Sequence, residues 1–191
     1  MLIIKDEIKI RPMQNHKHDY LLMEKWRTDE KVLQFYGGRD QPYDLEKAIK
    51  TYKPRILGKE SLIPRIFSYQ NIDIGYLQYY ELNKLPEHIS KMYSLQDTNN
   101  VYGIDLFIGE TQYWNQGIGT KVLSLAIEYI FNTLQALKIV IDPNVKNHRA
   151  IRCYEKCGFV KIKLLPCHDL HEGKYQDCWL MARERNIAGD R

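Results

Sequence analysis

Two glycines one residue apart close the run Tyr113-Trp114-Asn115-Gln116-Gly117-Ile118-Gly119-Thr120, which follows one apolar segment and opens a longer one. Glycine at such a junction lets successive backbone N–H groups turn inward and lets a phosphate approach with no Cβ in its path. A helix starting there adds unpaired N–H donors and a partial positive charge, so a pyrophosphate suits the site. The run is not a nucleotide P-loop, because no Gly-Lys-Ser/Thr triplet follows. The dinucleotide fingerprint also fails, since Val122 stands where its third glycine belongs. A second candidate is Asp105, set among Ile104, Leu106, Phe107 and Ile108. A carboxylate inside an apolar strand is costly unless it has a partner or a task.

Other chemistry is weaker. His168-Asp169-Leu170-His171-Glu172 holds two histidines and two acids, but not in the helical spacing of a metalloprotease motif, and no metal is expected. The four cysteines, Cys153, Cys157, Cys167 and Cys178, contain no CxxC pair and read as reduced, half-buried small residues.

These groups need elements to hold them. Residues 2–11 read as a strand ending at Pro12, and residues 19–33 as a loosely periodic helix stopped by Gly37-Gly38. A second helix begins at Asp44 as N-cap and closes before Pro54. Residues 63–70 and 72–81, rich in Ile, Tyr and Phe, form a hairpin turning at Gln70-Asn71. Residues 83–100 form a polar loop, and residues 101–109 a strong strand. From Gly117 to Thr133 the apolar positions occupy two faces, which marks a helix covered on most sides. A short strand at 138–143, a helix from Asn147 to Lys156 with Gly158 as its exit, and strands near 159–165 and 175–183 complete the chain. Hairpins around a central βαβ crossover imply an α/β fold with a mixed sheet, flanking helices and one domain over 1–191.

Composition agrees. The chain has 191 residues, 44% hydrophobic and 27% charged, which excludes global disorder and low complexity. No segment reaches the roughly 20 apolar residues of a membrane helix, and the N-terminus lacks a signal-peptide core, so a cytoplasmic protein is expected. A net charge of +4 suits an anionic cofactor as it does nucleic acid and by itself decides nothing, but no basic run or nucleic-acid signature accompanies it, so no nucleic acid is expected.

The segment Asn147-His148-Arg149-Ala150-Ile151-Arg152-Cys153-Tyr154-Glu155-Lys156-Cys157-Gly158-Phe159, about 30 residues after the glycine loop, turns these features into a pattern. Together the two segments resemble the GCN5-related N-acetyltransferases (GNAT). Phe35-Tyr36-Gly37-Gly38, Ile74-Gly75-Tyr76-Leu77-Gln78, Gly103-Ile104-Asp105, Asp142-Pro143 and His171-Glu172-Gly173 resemble the aminoglycoside 6'-N-acetyltransferases within that superfamily. One departure stands out: Trp114 occupies the position, three before the first glycine, where the superfamily usually carries Arg or Gln.

The resemblance implies a mostly antiparallel sheet with an acetyl-CoA-binding βαβ crossover. It implies direct acetyl transfer to the 6'-amine of an aminoglycoside such as kanamycin, and hence antibiotic resistance, with no metal. Gln116, Gly117, Ile118, Gly119 and Thr120 would hold the pyrophosphate. Phe107, Ile108 and Gly109 would pair with the pantetheine arm and offer an oxyanion donor, and Asn147 would bond the arm. Asp105 would accept the amine's proton, and Tyr154 would assist the departing thiolate. A polycationic acceptor calls for acids, among which Asp105, Asp142 and Glu172 match family positions. Asp97, Glu110, Asp169 and Asp177 are further candidates; Tyr36, Tyr76 and Gln78 complete the expected acceptor site, with Trp26 expected in the core. Alternatives are a polyamine, a siderophore-precursor amine or a protein N-terminus as acceptor, or a scaffold that binds CoA without catalysis. Monomer and homodimer stay equally open.

Overall fold

The computed structural model describes residues 2–40, 43–93, 95 and 97–185, with the side chains of residues 89 and 90 outside the description. Eight strands form one sheet in the order β1-β2-β3-β4-β5-β6-β8-β7. They are β1 (Ile3–Lys5), β2 (Ile8–Pro12), β3 (Ile63–Tyr69), β4 (Ile72–Glu81), β5 (Val101–Ile108), β6 (Lys138–Ile141), β7 (Val160–His171) and β8 (Lys174–Glu184). All neighbours are antiparallel except β5 and β6, which the helix α5 (Ile118–Asn132) joins as a parallel crossover. This is the mixed sheet that the pattern of elements implied, and it is mostly antiparallel as the family resemblance implied. Among the described residues, no helix is long and apolar enough to cross a membrane.

Both faces of the sheet are covered, and adjacent residues serve opposite layers as the strand period of two requires. Phe67 and Leu77 join a core with α5 and with α6 (His148–Lys156), whereas Ile66 and Tyr76 pack under α1 (Lys17–Trp26) and α3 (Leu45–Ile56). Double coverage explains why β4 is buried continuously from Ile74 to Tyr80 rather than alternately. Within the first of these cores α5 is buried on two sides, where Val122, Ala126 and Ile130 share the helix with Leu123, Ile127 and Phe131.

Several boundaries differ from the sequence reading. Residues 2–11 are two strands, because Asp6 adopts φ 52° and reverses the chain between β1 and β2. The helix expected over 19–33 breaks into α1 and α2 (Glu30–Leu33): the N–H of Arg27 bonds the Met23 carbonyl, and Asp29 caps a new start. Asp44 caps α3 as expected, but the helix runs past Pro54 to Ile56. Proline removes one N–H and costs stability there, yet Leu57 N–H still reaches the Lys53 carbonyl, while Ala48 and Tyr52 anchor the preceding turns. Residues 83–100 hold short helical turns, including α4 (Glu87–Ser90), with residues 94 and 96 outside the described residues.

The expected turn at Gln70-Asn71 is present, with φ 50° and 64°, positive at both central positions as a tight hairpin requires. β8 lies within a residue of its expected 175–183, but β7 runs six residues past 165, so the two form an arm that turns at Glu172-Gly173 with φ 51° and 71°. Most of β7 is exposed, so no apolar alternation announced it.

Candidate active site

β5 and β6 pair only from Val101 to Gly103 against Lys138 to Val140. Beyond that the strands part, β6 stops at Ile141, and the edge of β5 from Ile104 to Ile108 is left open on that side. The gap is the apex of a cleft of about 770 Å³, walled by the start of α5, by α6, by the 142–147 loop and by the middle of β7.

At one end the chain enters α5 through Asn115 at φ 61° and Gly117 at φ 76°, the latter serving as a left-handed N-cap. No side chain caps α5, so the first-turn N–H groups of Ile118, Gly119 and Thr120 have no protein acceptor of that kind. A Cβ on Gly119 would project into the cleft wall with nothing nearer than Cys153 Sγ at 3.7 Å and Ile108 Cδ1 at 3.8 Å. Thr120 Oγ1 lies 3.4 Å from Cys153 Sγ. The Ile118 side chain is buried in the core. Gln116 turns its Nε2 to the Gln112 carbonyl, 2.7 Å away.

Trp114 has a local task that the sequence did not disclose. Its Nε1 donates to the Ile108 carbonyl at 2.8 Å, tying the loop to the end of β5. Its ring carries the guanidinium of Arg149 at 3.7 Å, with Phe35 on that cation at 4.9 Å. Arg149 lines the cleft and has no carboxylate partner among the described residues; burial lowers its pKa. A cation lost from position 114 thus has a counterpart on α6. No periodicity or spacing signals it, because Arg149 reads as an ordinary helix cation until Trp114 is seen beneath it. Asn147 caps α6 by accepting the Ala150 N–H through Oδ1 at 3.2 Å, which leaves its NH₂ group for another partner.

The strand end itself corrects one expectation. The N–H of Gly109 donates to the Ile74 carbonyl at 2.8 Å, so it points at β4 and offers no oxyanion donor. Strand alternation puts the N–H groups of Leu106 and Ile108 on the open edge instead. Gly109 is needed for another reason, since a Cβ there would lie 2.1 Å from the Trp26 ring. Trp26 is fully buried, and its Nε1 donates to Glu110.

The other end is acidic. Asp105 Oδ2 accepts from Gln78 Nε2 at 2.7 Å. The Gln78 amide is locked in that orientation, because its Oε1 takes the Tyr76 hydroxyl at 2.8 Å and Arg55 Nη1 at 3.0 Å. Burial, followed by repulsion from Asp142, pushes Asp105 up to about 7 despite the opposing effects of Gln78 and Arg55. Asp142 itself is hydrogen bonded to His168 Nε2 at 2.8 Å. The hydroxyl of Tyr154 titrates well above its ordinary range, through burial first and then the charges of Cys153, Asp105 and Asp142. Tyr36 lines the same wall, its ring 4.5 Å from Phe107 and beneath the guanidinium of Arg27.

The expected acceptor residues therefore separate. Asp105, Asp142, Asp169 and Tyr36 line the cleft together. Tyr76 and Gln78 are buried beneath its floor and act on Asp105. Asp97 is exposed outside the cleft lining and accepts the Asn99 N–H. Glu172 is held by Arg39, through Nη2 at 2.8 Å and N–H at 3.1 Å, which drives its pKa down to about 2. Glu110 binds Lys25 and Trp26, and Asp177 accepts the Cys167 N–H. His171 approaches Glu172 while His168 approaches Asp142, so the two histidines serve different acids. Among the described residues one group of three acidic or imidazole ligand atoms gathers, at His18, Asp19 and Asp73, and Arg11 bonds both of those carboxylates. Cys153 is half-buried and Cys157 and Cys178 are buried as expected, whereas Cys167 is exposed on an irregular stretch of β7.

A splayed strand pair facing an uncapped helix N-terminus, with a carboxylate and a tyrosine at the apex, defines an acyl-transfer scaffold built for a thioester on a phosphate-bearing carrier. The acetyltransferase (GNAT) domain matches residues 15–166. The chain belongs to this family of acetyl-CoA-dependent N-acetyltransferases. It is 30% identical over 154 residues to an aminoglycoside N(6')-acetyltransferase type 1 of Klebsiella pneumoniae, spanning 81% of this chain and 74% of that protein. The crystal structure of the aminoglycoside acetyltransferase AAC(6')-Ib with coenzyme A and kanamycin superposes with a TM-score of 0.76 at 27% identity, over 93% of this chain and 95% of that one. A spermidine N-acetyltransferase from Vibrio cholerae shares the fold, with a TM-score of 0.74 at 18% identity over 93% and 95% of the two chains.

Proposed function

We propose that this protein acetylates the 6'-amino group of aminoglycoside antibiotics and thereby confers resistance to them. The observation that carries the reading is the cleft's acidic end, where Asp105 and Asp142 line one cavity in a chain 30% identical to an aminoglycoside 6'-acetyltransferase. Two carboxylates in one half-buried site call for a cation, and an aminoglycoside brings several.

The residues fit acetyl-CoA: the α5 donors are uncapped, the wall at Gly119 has room, and the β5 edge is open. Bound there, it supplies an activated thioester. Backbone N–H groups of Ile118, Gly119 and Thr120, together with Arg149, grip its pyrophosphate. Leu106 and the N–H of Ile108, whose carbonyl already accepts from Trp114, pair with the pantetheine arm along the open edge, and Asn147 bonds it with its amide NH₂. Asp105 takes a proton from the acceptor ammonium, since only the neutral amine attacks. Its elevated pKa makes it a better base than an ordinary carboxylate, and this offsets the rise in amine pKa that neighbouring acids cause. Tyr154 donates a hydrogen bond to the departing sulfur. With its pKa raised, it is too weak an acid to surrender a proton to a thiolate that titrates near 8.5. Tyr154→Phe therefore lowers kcat by roughly tenfold, with little change in the KM for acetyl-CoA. Loss of all turnover in steady-state assays would mean that Tyr154 is an indispensable acid.

The test of the function is thiol release from acetyl-CoA with kanamycin, tobramycin, spermidine and an N-terminal peptide as acceptors. Turnover of kanamycin, and none of an analogue with hydroxyl at the 6' carbon, is the expected result. Turnover of spermidine alone would move the acceptor to polyamines.

A further inference from the structure

His168 has an occupation unrelated to metal binding. β7 loses register with β8 between Leu165 and Asp169, Cys167 adopts φ 53°, and Asp177 Oδ1 fastens the irregular stretch by accepting the Cys167 N–H at 2.9 Å. A bulge re-aims a side chain that regular pleating would send elsewhere. Here the His168 side chain is turned inward until 9% of it is exposed, with Nε2 2.8 Å from Asp142 Oδ2 and its ring edge-on to Tyr93 at 5.8 Å. The Tyr93 hydroxyl shares a 2.8 Å hydrogen bond with that of Tyr80, which pairs with Gly103 two residues before Asp105 on β5. The His168–Asp142 hydrogen bond is thus backed by a buried tyrosine pair behind the cleft surface.

We propose that His168 is a positioning residue of the acceptor site, holding Asp142 as an oriented carboxylate so that Asp142 and Asp105 together clamp one ammonium group. Two like charges in a shared, half-buried site relieve their repulsion by taking up a proton, which would weaken the clamp. Asp105 is held by a donor from Gln78, and the Nε2–H of His168 does the same for Asp142. The groups around the imidazole are Asp142 at the end of β6, Tyr93 from the turn after α4, and its own neighbour Asp169. Cys178 of β8, pushed up to about 12 by burial and by the nearby acids, stays neutral. The inference rests on amine acetylation in this cleft but not on which amine is used.

Steady-state kinetics on His168→Ala and His168→Gln test it across pH. In the alanine variant the KM for kanamycin rises about tenfold, and the acidic limb of kcat/KM moves up by about half a pH unit or more, because the pair then binds its proton more tightly. The KM for acetyl-CoA stays within about twofold, since no phosphate donor is touched. Glutamine, whose amide N–H reaches the same position, restores most of both effects. An alanine variant with unchanged amine KM and acidic limb overturns the proposal. So does an equal rise in the acetyl-CoA and amine KM values in both variants, which would mark a merely structural residue. If the wild type acetylates spermidine and not kanamycin, the same series with spermidine decides the matter, and only the proposed substrate fails. Silence of the wild type on both amines overturns the acetylation reading and this proposal together.

Discussion

Asp105→Asn lowers turnover by about 10²- to 10⁴-fold and leaves acetyl-CoA binding intact, as measured by kinetics and calorimetric titration on one preparation. Asparagine keeps the shape of the side chain and still offers an oxygen to Gln78 Nε2, so the cleft retains its geometry. What it loses is the capacity to take a proton. In the wild type, kcat/KM climbs as pH rises through about 7, where Asp105 becomes a carboxylate, and this limb is absent from the residual activity of the variant. The same shift has a thermodynamic consequence. Because burial raises the carboxyl's pKa in the folded state above its unfolded value near 3.9, its contribution to stability is fully present below about pH 4 and is lost as pH rises through about 7. The asparagine variant, which never ionises, therefore melts above the wild type at pH 8, and the gap narrows as pH falls toward 4. Equal activity in both proteins removes Asp105 as the base. A gap independent of pH removes the buried charge as the cause of the stability difference.

Gly119→Val abolishes acetyl-CoA binding, reducing affinity by about 10²-fold or more, without unfolding the protein. The nearest atoms to a Cβ there are at ordinary van der Waals distance, so the folded chain accepts the added carbon. The branched side chain then fills the space through which a phosphate reaches the α5 donors, and no backbone adjustment restores that path while the helix persists. Gly117 behaves in the opposite manner. It has open space around it but sits at φ 76°, so an alanine there is strained by about 1–2 kcal/mol and is read in the melting temperature. Calorimetric titration with acetyl-CoA and thermal melts of the two variants separate the effects. Normal acetyl-CoA affinity in Gly119→Val removes the pyrophosphate from this loop.

Local chemistry decided much of this protein before any tertiary contact was known. The Gly117-x-Gly119 entry to α5, the Asp44 and Asn147 caps, the Gln70-Asn71 turn and the two-sided apolar pattern of α5 all appear where the sequence placed them, since each depends on residues within one or two turns of chain. The strand carrying Asp105 was legible for the same reason, and an acid among apolar neighbours was conspicuous. The exits and interruptions of helices were less so: Pro54 reads as a stop, yet the buried Ala48 and Tyr52 hold α3 across it. Which carboxylates meet was beyond local reading. Glu172 matched the family pattern, but a salt bridge to Arg39, 133 residues away in sequence, satisfies it outside the cleft lining. What Arg149 and His168 do was not legible in the sequence, because stacking on Trp114 and a hydrogen bond to Asp142 exist only once separate segments have packed. Backbone conformation follows from neighbours in sequence, whereas charge, desolvation and partnership follow from neighbours in space. The sequence by itself therefore determined the inner strands, the glycine loop and the position of Asp105. Only the tertiary structure decided that Asp105 is buried beside a second acid, and hence that it titrates where a base is useful.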